Sequence, residues 1–301
     1  MSEAAALLRE CGATGRTVSI ERAGGDVVLS TDRLSRLIEH EAGDLTCVVE
    51  AGIRLSELQA RLAPHRQVLA LDPPGDPTVG ACIAGALSGP LRHRYGAARD
   101  LVLGITAVLA DGTIASSGGK VVKNVAGYDL AKLFCGSRGT LGLVARVALR
   151  LHPLPESSQA VVVPTSEPAP AAELVQTLLR SELSPSAADL LWPGSLALLF
   201  QGSPRAVAAQ VDRAASELRA GEASLTIFDE ARARQGDAQG RVAFAPGDLE
   251  QHLATYAEAI VRVGAGVAYL PGPSGVRPNA GVEMLSERIR ARFDPAGVLA
   301  A

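Results

Sequence analysis

The lysines of the chain are the first candidates for chemistry, because they lie close together. Of the 29 basic residues only Lys120, Lys123 and Lys132 are lysines, and all three fall within thirteen residues. Asn124, one of only two asparagines, lies in the same stretch. A lysine ammonium is a compact point charge and an arginine guanidinium is a planar fork, so the two are not interchangeable at a tight site. The clustering favours a functional segment over chance.

Four glycine-bearing segments are the second candidates. They lie at 73–80, 88–96, 118–129 and 136–142. Peptide N–H groups freed at glycine turns and helix starts form concavities that bind anions. Several such turns in one domain could hold an extended dinucleotide along its length.

Other kinds of site are excluded by spacing. The four cysteines include no CxxC pair, and the five histidines never stand two or four residues apart, so no local metal motif is present. The sequence also lacks a GxSxG nucleophile elbow, a complete Walker loop and a GxGxxG turn. A net charge of −3 and an aromatic content of 3% argue against a nucleic-acid partner.

The order and wording of the glycine segments resemble one protein family. The resemblance rests on the stretches LALDPPG, SGPLRHRYGAARDLVLG, GGKVVKNVAGYDL and GSRGTLGLV, and on FDPAGV near the C-terminus. They are similar to the FAD-binding E subunits of glycolate oxidase, within the vanillyl-alcohol-oxidase / p-cresol-methylhydroxylase (PCMH) flavoprotein superfamily. The resemblance implies an α+β fold with FAD between two subdomains. It also implies a PCMH-type FAD-binding domain at 1–153 and a smaller α+β cap domain at 154–301.

The resemblance assigns roles to residues of the segments. It places Thr78, Val79 and Gly80 at a helix start that faces the FAD pyrophosphate, and residues 88–96 along the flavin and ribityl chain. Residues 136–142 would line the adenosine or ribityl side, and the lysine segment would lie at the flavin edge or a subunit contact. No catalytic base is assigned. The full set of predicted cofactor-binding residues is Pro74, Thr78, Val79, Gly80, Ser88, Gly89, Arg92, Tyr95, Gly96, Lys120, Lys123, Asn124, Gly136, Ser137, Gly139, Thr140, Leu141, Gly142 and Val144.

The function that the resemblance implies is hydride transfer from the α-carbon of a small 2-hydroxy acid to non-covalently bound FAD. The implied partners are a second FAD subunit and an iron–sulfur subunit that removes the electrons. Two alternatives stay open: a flavin-free interface subunit of the same complex, and a stand-alone FAD-linked alcohol oxidase.

Two features depart from the family pattern. The pyrophosphate loop between the first two strands is shortened to Ala23-Gly24-Gly25, and it stands between Glu21 and Asp26, whose charges would repel phosphate. The His-rich metal motif of the related catalytic subunit is absent from the sequence. The first departure predicts weakened FAD binding, because charge-assisted hydrogen bonds are worth roughly 1.5–3 kcal/mol each.

The elements that must position these residues follow from periodicity. A chain of 301 residues makes about two domains, and 152–170, which holds five of the 18 prolines, marks the boundary. The patterns predict strands at 44–50, 101–110, 143–151 and 223–228, and helices at 32–40, 168–181, 204–220 and 280–293. The longest apolar stretch, 101–110, is about half a membrane span. With no signal peptide evident and scattered free thiols, we expect a cytoplasmic protein without a membrane span.

Overall fold

The computed structural model describes residues 1–119, 130–275 and 279–300. The helices in these ranges are α1 (Ser2–Thr14), α2 (Leu55–Leu62), α3 (Val79–Ala84), α4 (Arg92–Tyr95), α5 (Ala98–Leu101), α6 (Ala131–Phe134), α7 (Pro168–Arg180), α8 (Pro204–Leu218), α9 (Ile227–Gly236), α10 (Leu249–Leu253) and α11 (Ala280–Phe293). The strands are β1 (Val18–Ile20), β2 (Val27–Leu29), β3 (Leu37–Glu41), β4 (Thr46–Glu50), β5 (Gln67–Val68), β6 (Val102–Val108), β7 (Ile114–Gly118), β8 (Leu143–Arg150), β9 (His152–Pro153), β10 (Ser157–Thr165), β11 (Ala187–Trp192), β12 (Gly194–Gly202), β13 (Gly221–Ala223), β14 (Gly240–Ala243), β15 (Ala259–Arg262) and β16 (Val267–Leu270).

The first part of the chain, residues 1–153, is built on an antiparallel sheet in the order β3-β4-β8-β6-β7. Leu55, Leu58 and Leu62 lie on one face of α2 at helical spacing and are buried against this sheet with α3, α5 and α6. This core fixes α3, which carries several predicted cofactor-binding residues.

A short parallel pair, β1 and β2, lies apart from that sheet. Only residues 21–26 connect the two strands. Gly25 is required here, because a Cβ at this position would lie 2.7 Å from the backbone nitrogen of Ser19. Gly24, with φ 142°, adopts a backbone conformation that other residues avoid. The shortened loop therefore packs closely against β1 as it returns to the start of the parallel strand β2.

The second part of the chain, which begins at residue 154, is built on a sheet in the order β13-β10-β12-β11-β15-β16-β14. Side chains alternate between its two faces, as strand geometry requires. Helices α7, α8 and α10 cover one face around Leu190, Leu198 and Phe200. Helix α9 covers the other face, where Phe228 packs with Leu191 and Ile260. This second face is the one turned toward the first part, since Leu91 packs against the same cluster.

The C-terminal residues return to the first part of the chain. Phe293 of α11 packs edge-on against Phe134, with ring centroids 5.9 Å apart. Val298 and Leu299 are buried with Leu8 of α1, and backbone hydrogen bonds join residues 298–300 to β1. The division of the chain at residue 153 stays a prediction. This packing is a reason to assign residues 289–300 to the first part.

The mixed α+β fold class is confirmed, whereas two predicted elements are wrong. Residues 37–41 form the edge strand β3 rather than a helix, because pairing with β4 satisfies their backbone groups. The predicted strand at 223–228 is instead the end of β13 and the start of α9. The second error lies in a short apolar run that fits either period. No described helix has the length and apolar character needed to cross a bilayer.

Candidate functional site

A cavity of about 260 Å³ lies between β1, α3 and the turn before β8. Its walls come from three separate stretches of the first part of the chain. The lining residues are Ile20, Glu21, Arg22, Thr31, Thr78, Gly80, Ala81, Ala84, Gly85, Arg138, Gly139, Gly142, Leu143 and Val144.

Helix α3 forms one wall of the cavity. The helix begins at Thr78, whose hydroxyl accepts a hydrogen bond from the backbone N–H of Ala81 at 3.1 Å. Gly80 permits close approach of the helix to the sheet, since its N–H donates to the Ala51 carbonyl at 2.6 Å and a Cβ would lie 2.9 Å from that oxygen. Small residues then leave room for a ligand beside Ala81 and Ala84.

The glycine-rich turn before β8 forms the opposite wall. Gly139 and Gly142 have φ values of 81° and 144°, which favour glycine. The Arg138 N–H donates to the Ala84 carbonyl at 2.8 Å and so ties the turn to α3. Thr140 is occupied internally, because its hydroxyl donates to the Ser137 carbonyl at 2.7 Å. The Ser137 hydroxyl oxygen is buried and has no hydrogen-bond partner within the described residues.

The shortened loop places one carboxylate at the cavity. Glu21 lines it, and its carboxylate accepts hydrogen bonds from the Thr31 backbone N–H and the Ser30 hydroxyl. Asp26 is not among the lining residues; its carboxylate accepts from the Thr17 N–H at 2.8 Å and the Thr17 hydroxyl at 2.9 Å, which lowers the pKa of Asp26. Of the two carboxylates expected to repel phosphate, only Glu21 therefore contacts the cavity.

The chain is similar to an FAD-binding domain family and to several oxidoreductases. Residues 9–118 match the family model described as "FAD binding domain". An uncharacterized FAD-linked oxidoreductase of Mycobacterium tuberculosis is 32% identical over 192 residues, which are 63% of this chain and 41% of that protein. The mitochondrial cytochrome D-lactate dehydrogenase of Kluyveromyces lactis is 32% identical over 60% of this chain and 31% of its own length. The glycolate oxidase subunit GlcD of Bacillus subtilis is 31% identical over 56% of this chain and 36% of its own length.

The match to an FAD-binding domain covers 110 of the 301 residues of the chain. Two structures of alkyldihydroxyacetonephosphate synthase share the fold, with TM-scores of 0.71 and 0.72 over 98% of this chain and 73% of theirs, at 15% identity. The alignments span 31–41% of the length of the three curated relatives described above. FAD is the cofactor of this domain family.

The cavity fits one portion of FAD. Ile20 and Val144 offer apolar contact for an adenine ring, and Thr78, Arg22 and Arg138 offer polar groups for sugar and phosphate. Its volume of about 260 Å³ is below the range of roughly 300–1,000 Å³ that is usual for whole-ligand sites. The described residues at the cavity would therefore hold one portion of FAD rather than the whole cofactor.

The structure brings five predicted cofactor-binding residues together at the cavity: Thr78, Gly80, Gly139, Gly142 and Val144. Val79 and Leu141 instead point into the first core, and Gly136 and Ser137 lie in the adjoining turn. The lining residues Ile20, Arg22, Thr31 and Arg138 were missed. Of these four, only Arg138 could have been found from the sequence, because it lies within the glycine segment GSRGTLG. Lys120, Lys123 and Asn124 lie outside the described residues.

The other predicted residues lie toward the second part of the chain. The Ser88 carbonyl accepts a hydrogen bond from Gln235 at 2.8 Å, and the Ser88 hydroxyl accepts from Arg92 at 3.3 Å. Gly89 lies against the Asp72 carbonyl, and Pro74 contacts Gly236. These residues therefore form an interface rather than a wall of the cavity.

Tyr95 and Gly96 also lie away from the cavity. The Tyr95 ring packs on His152 with centroids 4.6 Å apart. Gly96 ends α4 with φ 83° and lies against Asp100. Both positions serve the local structure at the junction of the two parts.

Two of the cysteine thiols are unsuited to nucleophilic chemistry, and the described residues bring together no cluster of metal ligands. Burial raises the pKa of both Cys47 and Cys82 to about 12, so neither thiol is a nucleophile near neutral pH. No group of three or more potential metal ligands occurs in the parts of the chain that the structure describes.

Proposed function

We propose that this chain is the FAD-binding E subunit of a multisubunit glycolate, or more broadly 2-hydroxy acid, oxidase or dehydrogenase. The observation that carries the proposal is the cavity, two of whose three lining stretches, at residues 20–31 and 78–85, lie within the stretch 9–118 that matches an FAD-binding domain. Its relatives include proteins named glycolate oxidase subunit and D-lactate dehydrogenase, which supports an oxidoreductase that acts on small 2-hydroxy acids.

The division of labour in this proposal follows from the residues. Bound FAD would supply the hydride acceptor for the α-carbon of the 2-hydroxy acid, whose hydroxyl proton would pass to solvent. Thr78 and the turn at 136–142 hold the nucleotide, and the interface at Ser88 and Arg92 faces the second part of the chain. The sequence has no cysteine motif for a cluster, so an iron–sulfur partner removes the electrons. A second FAD subunit completes the complex, which we place in the cytoplasm.

The test is the flavin content of the purified chain. Bound flavin gives visible absorption that is released on denaturation, since the proposal holds FAD non-covalently. Saturation at 100 times Kd adds about 2.7 kcal/mol of stability, which a thermal melt detects. A colourless protein that excess FAD does not stabilise contradicts the proposal.

One observation favours a second candidate, a flavin-free interface subunit of the same complex. Glu21 places a carboxylate at the cavity, and the connection at 21–26 is short. Copurification of the tagged chain with its partner proteins distinguishes the candidate functions. The interface role predicts a stable complex whose flavin all belongs to the partner, whereas a stand-alone oxidase predicts flavin without any partner.

A further inference from the structure

A buried polar network joins the two parts of the chain. Asp189 of β11 and Arg262 of β15 are paired, with side chains 0% and 2% exposed. Arg262 also donates to the Gln235 side chain on α9. Gln235 in turn donates to the Ser88 carbonyl of the first part at 2.8 Å. A continuous chain of hydrogen bonds therefore runs from the second sheet to Ser88.

Arg232 makes a second connection from the same helix. Its guanidinium lies 3.3 Å from the Asp72 carboxylate, which also accepts the Leu91 N–H at 3.1 Å. Gly236, at the end of α9, contacts Pro74, since a Cβ there would lie 3.2 Å from the proline Cβ. Helix α9 thus holds residues 72–74 as well as Ser88.

These two attachment points flank α3 in the sequence. Residues 72–74 precede Thr78, and Ser88 follows Gly85, so α9 holds the connection on each side of the helix that lines the cavity. Helix α9 is itself fixed to the second sheet by Phe228 and Ala231. A displacement of the second part would therefore pull on both ends of the cavity wall.

We propose that Arg232 and Gln235 are positioning residues for the nucleotide cavity, which they shape by holding both flanks of α3. Neither residue lines the cavity. They act through Asp72 and Ser88, and so couple the contact between the two parts to nucleotide binding. The identity of the ligand rests on the proposed function; the mechanical coupling does not.

The experiment compares Arg232→Ala and Gln235→Leu with Arg234→Ala in the full chain. Arg234 lies on the same helix but bonds the Trp192 carbonyl within the second part, at 3.1 Å, so it controls for general loss of α9 packing. The first readout is hydrogen–deuterium exchange of the backbone amides at 78–88. The second is the dissociation constant for ADP, which serves as the probe, and for FAD.

We expect amide protection at 78–88 to fall at least tenfold in Arg232→Ala and in Gln235→Leu, and to change less than twofold in Arg234→Ala. The ADP dissociation constant should rise about tenfold in the first two variants, and Arg232→Lys should recover most of the loss. Equal effects in all three variants, or unchanged exchange at 78–88, would overturn the coupling.

The two proposals fail separately. If the wild-type chain binds neither FAD nor ADP, the proposed function fails while the exchange data still decide the coupling. If FAD binds and the variants leave both readouts unchanged, the coupling fails and the proposed function stands. Because either single variant reports on its own contact, loss of folding in one leaves the other to decide.

Discussion

At the scale of single residues, Gly80 shows how the absence of a Cβ lets a helix pack close to a neighbouring backbone. Its backbone N–H donates to the Ala51 carbonyl, and a Cβ would lie 2.9 Å from that oxygen and 3.0 Å from the Ala51 Cβ. Gly80→Ala should therefore destabilise the chain by about 1–3 kcal/mol through overpacking. Gly247→Ala is the matched control, since nothing lies within 4 Å of its added Cβ. Urea unfolding that is the same for both variants would contradict this account.

Asp72 predicts a pH dependence of stability. Burial raises its pKa to about 7, against the lowering effect of Arg232. Between pH of about 4 and about 7 the folded chain then holds a proton that the unfolded chain releases, so this group makes stability fall as the pH rises through that window. Asp72→Asn should flatten the fall in melting temperature between pH 5 and pH 7.

Asp26 is the control of opposite sign for that measurement. Hydrogen bonds from Thr17 lower its pKa, so its contribution is present above the unfolded pKa and is lost as the pH falls through the folded pKa. Asp26→Asn should alter only the acid side of the profile. A profile of Asp72→Asn that is parallel to wild type from pH 5 to pH 7 would rule out the assignment to Asp72.

At the scale of elements, we expect the short connection between β1 and β2 to limit FAD affinity. Insertion of Gly-Gly-Gly-Thr after Arg22 keeps Gly25, which the close approach to Ser19 requires. One restored charge-assisted hydrogen bond of about 1.5–3 kcal/mol raises affinity roughly 10- to 150-fold. Titration of FAD into the insertion variant measures this. Unchanged affinity would mean that the pyrophosphate is held without the loop, and an insertion of equal length within 246–248 is the control.

The α3 cap is a second prediction at this scale. Thr78→Ala removes the acceptor of the Ala81 N–H and should cost about 0.5–2 kcal/mol of stability. Thr78→Ser keeps a hydroxyl and should retain most of it. Because Thr78 also lines the cavity, only the alanine variant should also weaken ADP binding. Equal stability of the two variants would show that the hydroxyl does not cap α3.

At the scale of the whole molecule, the two ends of the chain depend on each other. Leu299 is 1% exposed in a cluster with Leu8 of α1, and Asp294 accepts hydrogen bonds from the N–H groups of Val298 and Leu299. Leu299→Ala should cost about 2–5 kcal/mol, as buried leucines do. Leu285→Ala, at a side chain 53% exposed, should change stability by less than about 0.5 kcal/mol. Chemical denaturation of both variants decides whether the C-terminal residues belong to the first core.

The sequence by itself determined several elements, because these depend on local patterns, whereas the α+β class and the FAD cofactor were implied by the resemblance of the glycine segments to a known family. Glycine turns, the apolar period of α2 and the buried strands at β6 and β8 are each specified within about ten residues. The glycine segments at 73–80 and 136–142 predicted a dinucleotide site, and the segment GSRGTLG contains Arg138.

Only the tertiary structure decided which of those segments line the same cavity. Thr78 and Gly139 meet at the cavity, whereas Ser88, predicted for the same ligand, bonds Gln235 from 147 residues away. The partners Arg232 and Gln235 lie on α9, of which only the first two residues fell within the strand predicted at 223–228. A short apolar run fits both periods until its neighbours are known. Contacts between residues so distant in sequence arise from packing of whole sheets and helices, which no local pattern encodes.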